Sequence, residues 1–127
     1  ITVNFNAVSI AASGNLMLQL GTSSGIDSSG YISTIQAGSA NATITNGFQL
    51  TINNSSAHLC SGSETINLQN SSTNTWAAFG AIVYNSVSTN SGFNAGSKSL
   101  SSVLDRVRIT TTTGDTFDAG TINISYE

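Results

Sequence analysis

Apolar and polar residues alternate with a period of two along most of this chain. The pattern begins at the first residues, where Ile1, Val3, Phe5 and Ala7 are separated by polar side chains. The same alternation recurs in residues 16–20, 48–52, 66–68, 107–109 and 122–126. A period of two is typical of β-strands that bury one face, and no stretch of ten residues carries the apolar stripe of an amphipathic helix. The pattern therefore predicts an all-β protein.

Clusters of turn-forming residues separate these segments, at residues 12–15, 21–25, 53–56 and 70–74. Ser, Asn and Gly favour tight turns because they tolerate unusual backbone angles or bond to their own backbone. Eight or nine short strands joined in this way are typical of an antiparallel β-sandwich, and we predict a jelly-roll-like one. The length of 127 residues and mass of 13.0 kDa fit a single domain over residues 1–127.

Residues 76–85 depart from the pattern because neither face of the predicted strand is polar. Small or apolar side chains occupy both faces: Trp76, Ala78, Gly80, Ile82 and Tyr84 on one, and Ala77, Phe79, Ala81 and Val83 on the other. The outer face of a monomeric sandwich is normally polar. We expect one face of this strand to pack against a neighbouring protomer, and the alternative is a cover formed by a long loop of the same chain.

The composition is rich in short polar side chains and poor in charge. Ser, Thr and Asn supply 52 of the 127 residues, whereas only three are Lys or Arg and six are Asp or Glu. A net charge of −3 leaves no basic surface for phosphates, so we expect no nucleic-acid partner. No apolar run approaches the ~20 residues that cross a bilayer, so we expect no membrane insertion.

The sequence contains few residues that could bind a metal or a cofactor or take part in catalysis. Cys60 is the only cysteine and His58 the only histidine, which falls short of the four ligands of a structural zinc site. Asp115 and Asp118 could supply calcium ligands, although a turn before the last strand explains the same residues. The six carboxylates form no recognisable catalytic pair. We expect no catalytic residue, no bound metal and no cofactor.

Ligand contacts are expected from the connecting loops, because the strands of a small sandwich are committed to packing. The longest predicted loops are residues 21–30, which lead to Tyr31, and residues 53–63, which contain His58. A third, residues 70–75, precedes Trp76. Tyr31, Trp76, His58 and Asp27 are the candidate ligand-binding residues, because sugars need an aromatic face with flanking hydrogen-bonding groups. Tyr31 and Trp76 are also explained as residues at the rim of the core.

Three stretches of the chain resemble the C-terminal modules of tail fibres and tailspikes of tailed bacteriophages and prophages. They are residues 19–25 (QLGTSSG) leading to Gly30-Tyr31, residues 74–78 (NTWAA), and residues 104–124, with LDRVRI followed by GDTFDAGTINI. The last stretch is the most specific. The resemblance implies a β-sandwich at the distal end of a homotrimeric fibre or spike, where such modules serve trimer assembly, host recognition or both.

Together these features predict a receptor-binding or trimerisation module on the virion tail. Its partners would be two further copies of the chain and a bacterial surface polysaccharide, either lipopolysaccharide or capsule. The first alternative is a C-terminal trimerisation or folding cap without a ligand. The second is part of a glycan depolymerase. Weak binding at each site would become useful attachment through the avidity of several copies.

Overall fold

A computed structural model describes residues 1–85 and 89–126 of the protein. The regular secondary structure of these residues consists of antiparallel β-strands. Eleven strands and no helix occur within these residues. The strands are β1 (Thr2–Ile10), β2 (Leu16–Thr22), β3 (Gly25–Ile26), β4 (Ile32–Ala37), β5 (Ala40–Ile44), β6 (Phe48–Gln49), β7 (Leu59–Asn70), β8 (Thr75–Asn85), β9 (Thr89–Ser99), β10 (Arg106–Thr111) and β11 (Phe117–Ser125). The described part of the chain accordingly holds no helix of the length and apolarity that crossing a membrane demands.

Two sheets of unequal size enclose the core. The large sheet has seven strands in the order β11-β1-β7-β8-β9-β4-β5, and the small sheet has the order β10-β2-β3, with β6 also paired to β2. Core residues come from both sheets, for example Phe5 and Ile82 from the large one and Leu18 and Phe48 from the small one. This arrangement is consistent with the predicted β-sandwich.

A β-bulge in β1 changes which residues face the core. Val3 and Phe5 are buried before the bulge, and Val8 and Ile10 are buried after it. Ala7 lies at the irregularity with a φ of 51°. An uninterrupted strand would have turned Val8 and Ile10 towards solvent, so the alternation predicted through Ala7 ends earlier than the sequence pattern implied.

The central strands β7, β8 and β9 meet around a buried polar row. Glu64 on β7 is opposite Gly80 on β8, which is opposite Asn94 on β9. The Asn94 Nδ2 atom donates a hydrogen bond of 2.8 Å to Glu64 Oε1 across the glycine. A Cβ atom on Gly80 would collide with the Glu64 carboxylate and lie 2.5 Å from the Ser63 carbonyl oxygen. Only glycine leaves room for this pair.

The outer face of the large sheet carries almost no charge. Six of its strands, β1, β7, β8, β9, β4 and β5, contain only two charged residues, Glu64 and Lys98. Both of these point inwards and are buried. The exposed residues of the described face are instead mostly Ser, Thr, Asn, Gln and Ala, with exposed apolar side chains among them: Phe79 (54%), Phe93 (61%), Ile32 (76%), Leu59 (47%) and Val83 (40%).

Several elements of the structure were absent from the sequence prediction. Strands β4, β5 and β9 are rich in Ser, Thr, Asn and Gly and show few apolar residues, so periodicity did not reveal them. The loop predicted at residues 53–63 is shorter, because β7 already begins at Leu59. Leu59 to Ser63 pair with β8 and are therefore strand residues, whereas His58 keeps its position in the loop.

The buried Glu64 carboxyl predicts a pH-dependent stability. Burial raises its pKa from 4.5 to about 8, against the opposing effect of the Asn94 hydrogen bond. The folded chain therefore binds the proton more tightly than the unfolded chain, and the free energy of unfolding falls as pH rises from about 4.5 to about 8. Each pH unit within this window costs up to about 1.4 kcal/mol.

Thermal unfolding of wild type and Glu64→Gln between pH 5 and pH 9 checks this expectation. The melting temperature of wild type should fall by several degrees over this range, and that of Glu64→Gln should stay nearly constant. Asp118→Asn, which removes an exposed carboxylate, serves as the matched control and should follow the wild-type profile. Parallel curves for all three proteins would contradict the assignment.

Candidate functional site

The four candidate ligand-binding residues lie at two separate ends of the large sheet. Asp27, Tyr31 and Trp76 are grouped around Lys98, because Trp76 is opposite Lys98 in the β8–β9 pairing and Lys98 contacts both other residues. His58 instead lies beside Tyr84, at the other end of β8. Trp76 and Tyr84 are eight residues apart along one strand, which is about 26 Å. The four residues therefore do not form one site.

Tyr31 is a core residue in this structure. Its side chain is 2% exposed and its ring packs edge-on against Phe48 with 5.0 Å between centroids. The hydroxyl accepts a hydrogen bond of 2.7 Å from the Leu20 backbone N–H and donates to a backbone carbonyl, either that of Asp27 or that of Leu20, at 3.0 and 3.3 Å. Burial raises the pKa of this hydroxyl to about 12. Of the two explanations left open by the sequence, the core position is the observed one.

Asp27 and Lys98 hold the loop before Tyr31 against the sheet. The Lys98 ammonium forms a 2.9 Å salt bridge with Asp27 Oδ2 and donates a 3.0 Å hydrogen bond to the Ser29 carbonyl. It also lies 5.3 Å from the centre of the Tyr31 ring. The side chain of Lys98 is 9% exposed, so this ammonium is largely removed from water. Asp27 is thus the charged partner of a nearly buried lysine.

Trp76 and His58 are both half-buried. The Trp76 indole has a buried Nε1 atom with no hydrogen-bond partner among the described residues. His58 Nδ1 is 3.1 Å from Asn54 Oδ1, and its ring centre lies 5.5 Å from that of Tyr84. The part of these four residues in ligand binding stays a prediction, and the contacts observed are those of packing and loop fixation.

Cys60 is buried close to His58, as expected for a small apolar side chain. Its Sγ atom is 3.7 Å from Asn54 Oδ1, and burial raises the pKa of the thiol to about 11. A thiol with such a pKa is almost entirely protonated at neutral pH and is a poor nucleophile. Asn54 therefore serves as a common acceptor for His58 and Cys60 in the loop that precedes β7.

Three further carboxylates, those of Asp115, Asp105 and Glu64, have polar partners in the structure. Asp115 Oδ2 accepts hydrogen bonds from the Thr113 hydroxyl at 2.8 Å within the turn and from the Gly14 backbone N–H at 2.6 Å, which joins this turn to the β1–β2 loop. Asp105 forms a 3.2 Å salt bridge with Arg106. Glu64 has the raised pKa typical of a general acid, but its side chain is 0% exposed inside the core. Within residues 1–85 and 89–126, no three His, Cys, Asp or Glu side chains gather as a metal site.

Three of the depressions on the surface of the described residues are large enough to consider as binding sites. One of about 300 Å³ is lined by Ile1, Thr2, Thr65, Asn67, Ser125 and Tyr126. A second of about 250 Å³ is lined by Ile1, Leu104, Asp105, Arg106, Val107, Ile124 and Tyr126. The third, of about 450 Å³, is lined by Gln36, Gly38, Asn90, Ser91 and Phe93. The first two adjoin because they share Ile1 and Tyr126, whereas the third lies near the β4–β5 turn.

The chain shows no significant similarity to a family model, to a curated protein or to a solved structure. Its function is therefore argued from its own surface and residues.

The Asp27–Lys98 pair predicts that Asp27 is needed for folding stability. Asp27→Asn leaves the nearly buried ammonium of Lys98 without its counter-charge and should lower the free energy of unfolding by about 1–3 kcal/mol. Urea denaturation at neutral pH measures this change. Ser28→Ala, an exposed neighbour in the same loop, is the control and should be near neutral. Equal stability of both variants would show that the bridge contributes nothing.

Proposed function

We propose that this protein is the attachment module of a phage tail fibre or tailspike, which binds a bacterial surface glycan as a homotrimer on the virion tail. The observation that carries this proposal is the nearly uncharged outer face of the large sheet, where short hydroxyl and amide side chains surround exposed phenylalanines. Such a face suits two tasks: association between copies without electrostatic repulsion, and contact with neutral hydroxyl groups. The sequence resemblance to fibre and spike modules supports the same function.

The phenylalanines of this face alternate with alanines in a way that favours self-association. Phe79 on β8 is opposite Ala95 on β9, and Ala81 on β8 is opposite Phe93 on β9. Each large side chain therefore lies beside a small one both along its strand and across to its neighbour. In a cyclic trimer the rings of one copy would enter spaces above small side chains of the next copy, so that each copy uses two different patches. Val83 extends the apolar area along β8 and is 40% exposed.

The size of the face is adequate for a specific interface. The strands lie about 4.8 Å apart and rise about 3.3 Å per residue, so the outer face of these six strands measures roughly 29 by 30 Å. Specific complexes bury about 800 Å² on each partner. A contact centred on β8 and β9 reaches that size with part of the face and leaves the rest free for a ligand.

Glycan attachment is the favoured activity because of the surface chemistry and the charge. Ser, Thr, Asn and Gln side chains both donate and accept hydrogen bonds, which matches sugar hydroxyls. Three copies on each fibre would convert weak binding at each site into strong attachment, with a gain of about 10²–10⁴ over one site. No catalytic role is proposed for this domain.

A ligand-free trimerisation cap is the second candidate. The Phe79–Ala81 and Phe93–Ala95 pattern favours it, because that pattern explains assembly without requiring a glycan. The two functions differ in one observable property, since a cap assembles but does not bind cells.

Assembly is tested with the double variant Phe79→Ser/Phe93→Ser. We expect sedimentation of wild type at micromolar concentration to give a trimer, and sedimentation of the variant to give a monomer near 13.0 kDa with an unchanged β-sheet circular dichroism spectrum. Val103→Ser removes an apolar side chain that is 71% exposed outside this face, and it should remain trimeric. A monomeric wild type would contradict the assembly proposal.

Attachment is tested by binding of the labelled protein to a panel of bacterial strains. Periodate cleaves the vicinal diols of glycans, so it should abolish binding to a susceptible strain, whereas protease treatment of the cells should leave binding intact. The monomeric double variant should bind at least about tenfold more weakly through loss of avidity. A trimer that binds none of the strains favours the ligand-free cap. Binding that is unchanged after periodate treatment contradicts the proposed receptor, a periodate-sensitive glycan.

A further inference from the structure

Two adjoining depressions, of about 300 and 250 Å³, lie on either side of Tyr126 and share Ile1 and Tyr126; together they are called the Tyr126 groove. The first reaches the lower end of the range of about 300–1,000 Å³ that small-molecule sites occupy. The groove lies where the first and last strands of the large sheet run side by side, since Thr2 on β1 pairs with Ser125 on β11. Tyr126 follows β11 directly and borders both parts.

Tyr126 is an aromatic side chain that the core does not use. It is 79% exposed, the highest value among the exposed large apolar and aromatic residues, whereas Tyr31 and Tyr84 are 2% and 0% exposed. An aromatic ring this accessible offers a flat apolar face to a ligand and keeps a hydroxyl for hydrogen bonding. The C–H groups on one side of a pyranose ring are complementary to such a face.

One side of the groove is lined by uncharged hydrogen-bonding groups. Thr2, Thr65, Asn67 and Ser125 supply three hydroxyls and one amide next to Tyr126. Thr65 and Asn67 are on the outward-facing side of β7, because the alternate residue Ile66 is buried. Together the four side chains can both donate and accept, which the hydroxyl groups of a sugar require.

The other side of the groove combines apolar side chains with the salt bridge between Asp105 and Arg106. Ile1, Leu104, Val107 and Ile124 are partly exposed there. Ile124 has a core-facing register because it pairs with buried Val3, yet it is 41% exposed. The small sheet ends at β10 and does not cover it.

The charge distribution indicates which sugars fit. Every basic side chain of the protein already has a polar partner: Lys98 bonds to Asp27, Arg106 to Asp105, and Arg108 Nε to Gln19 Oε1 at 2.9 Å. The net charge is −3. A uronate or sialate polymer would find the Arg106 side chain beside the groove already paired with Asp105, whereas a neutral saccharide needs no counter-charge.

We infer that the Tyr126 groove is a binding site for a neutral saccharide, with one sugar ring stacked on Tyr126 and its hydroxyls bonded to Thr65 and Asn67. This inference rests on the proposed attachment function and gives it a site separate from the loop residues Tyr31 and His58. The depression at Phe93 is the less suitable site, because Phe93 belongs to the face that we propose for assembly.

Direct titration of the wild-type protein is the first part of the test. The probes are the methyl glycosides of glucose, galactose, mannose and N-acetylglucosamine, with methyl glucuronide as the anionic comparison, followed by NMR at physiological salt. We expect at least one neutral glycoside to shift the Tyr126 ring and the Thr65 and Asn67 amide signals, and glucuronide to shift none. Shifts centred on His58 or Phe93 would place the site elsewhere and overturn the inference.

Substitution is the second part, with binding to a periodate-sensitive strain as the readout. Tyr126→Ala should weaken binding at least about tenfold, on the scale of an interface hot spot. Asn67→Ala should weaken it several-fold. Tyr126→Phe, which keeps the ring, should retain most of it. Trimer content and melting temperature should remain at wild-type values, because Tyr126 and Asn67 are exposed.

The outcomes separate the site from the function. Periodate-sensitive binding that survives Tyr126→Ala overturns the groove and leaves the attachment function standing. Binding to no strain, together with no shift by any glycoside, overturns both. Shifts by glucuronide equal to those by the neutral glycosides overturn the neutral-sugar assignment alone.

Discussion

The hydrogen bond from Asn94 to Glu64 across Gly80 fixes the alignment of the three central strands. The outer faces of β7, β8 and β9 repeat Ser and Ala, and such strands specify their register weakly. A slip of two residues would place Ala78 or Ile82 against the carboxyl group, in space that only glycine leaves free. It would also leave two buried polar groups without partners, at about 1–3 kcal/mol each. The diagonal placement of Phe79 and Phe93 depends on this alignment.

A second set of contacts determines how closely the crossing segments approach the large sheet. Gly92 on β9 leaves room for the backbone carbonyl of Leu50, which would be 2.7 Å from an added Cβ atom. Tyr84 completes the contact, because its hydroxyl bonds to both the N–H and the carbonyl of Ile52 at 3.2 and 2.8 Å. Backbone that runs between sheets would otherwise bury unpaired polar groups, and this tyrosine satisfies two of them.

Sequence periodicity predicted the all-β class, the antiparallel sheets and the strands in which apolar residues dominate one face. It did not predict β4, β5 and β9, because their packing relies on Ser, Gly and Asn in positions that only the neighbouring strands define. The bulge at Ala7 was equally invisible, since both registers of β1 place apolar residues on one face. The candidate site was predicted less well than the fold. Tyr126 continues the inward alternation of Ile122 and Ile124, and only the end of the small sheet at β10 explains why these three side chains are exposed.

The scarcity of basic residues also affects how the protein meets proteases. Trypsin-like enzymes cleave after Lys or Arg, and only three such bonds exist in the whole chain. Lys98 is fixed in β9 by its ion pair, and Arg106 and Arg108 are in β10, whose backbone pairs with β2. A protease must draw the backbone into an extended, unpaired conformation, so cleavage requires that the sheet open first. The survival of this protein among such enzymes is therefore set by how often its sheets open rather than by the accessibility of any loop.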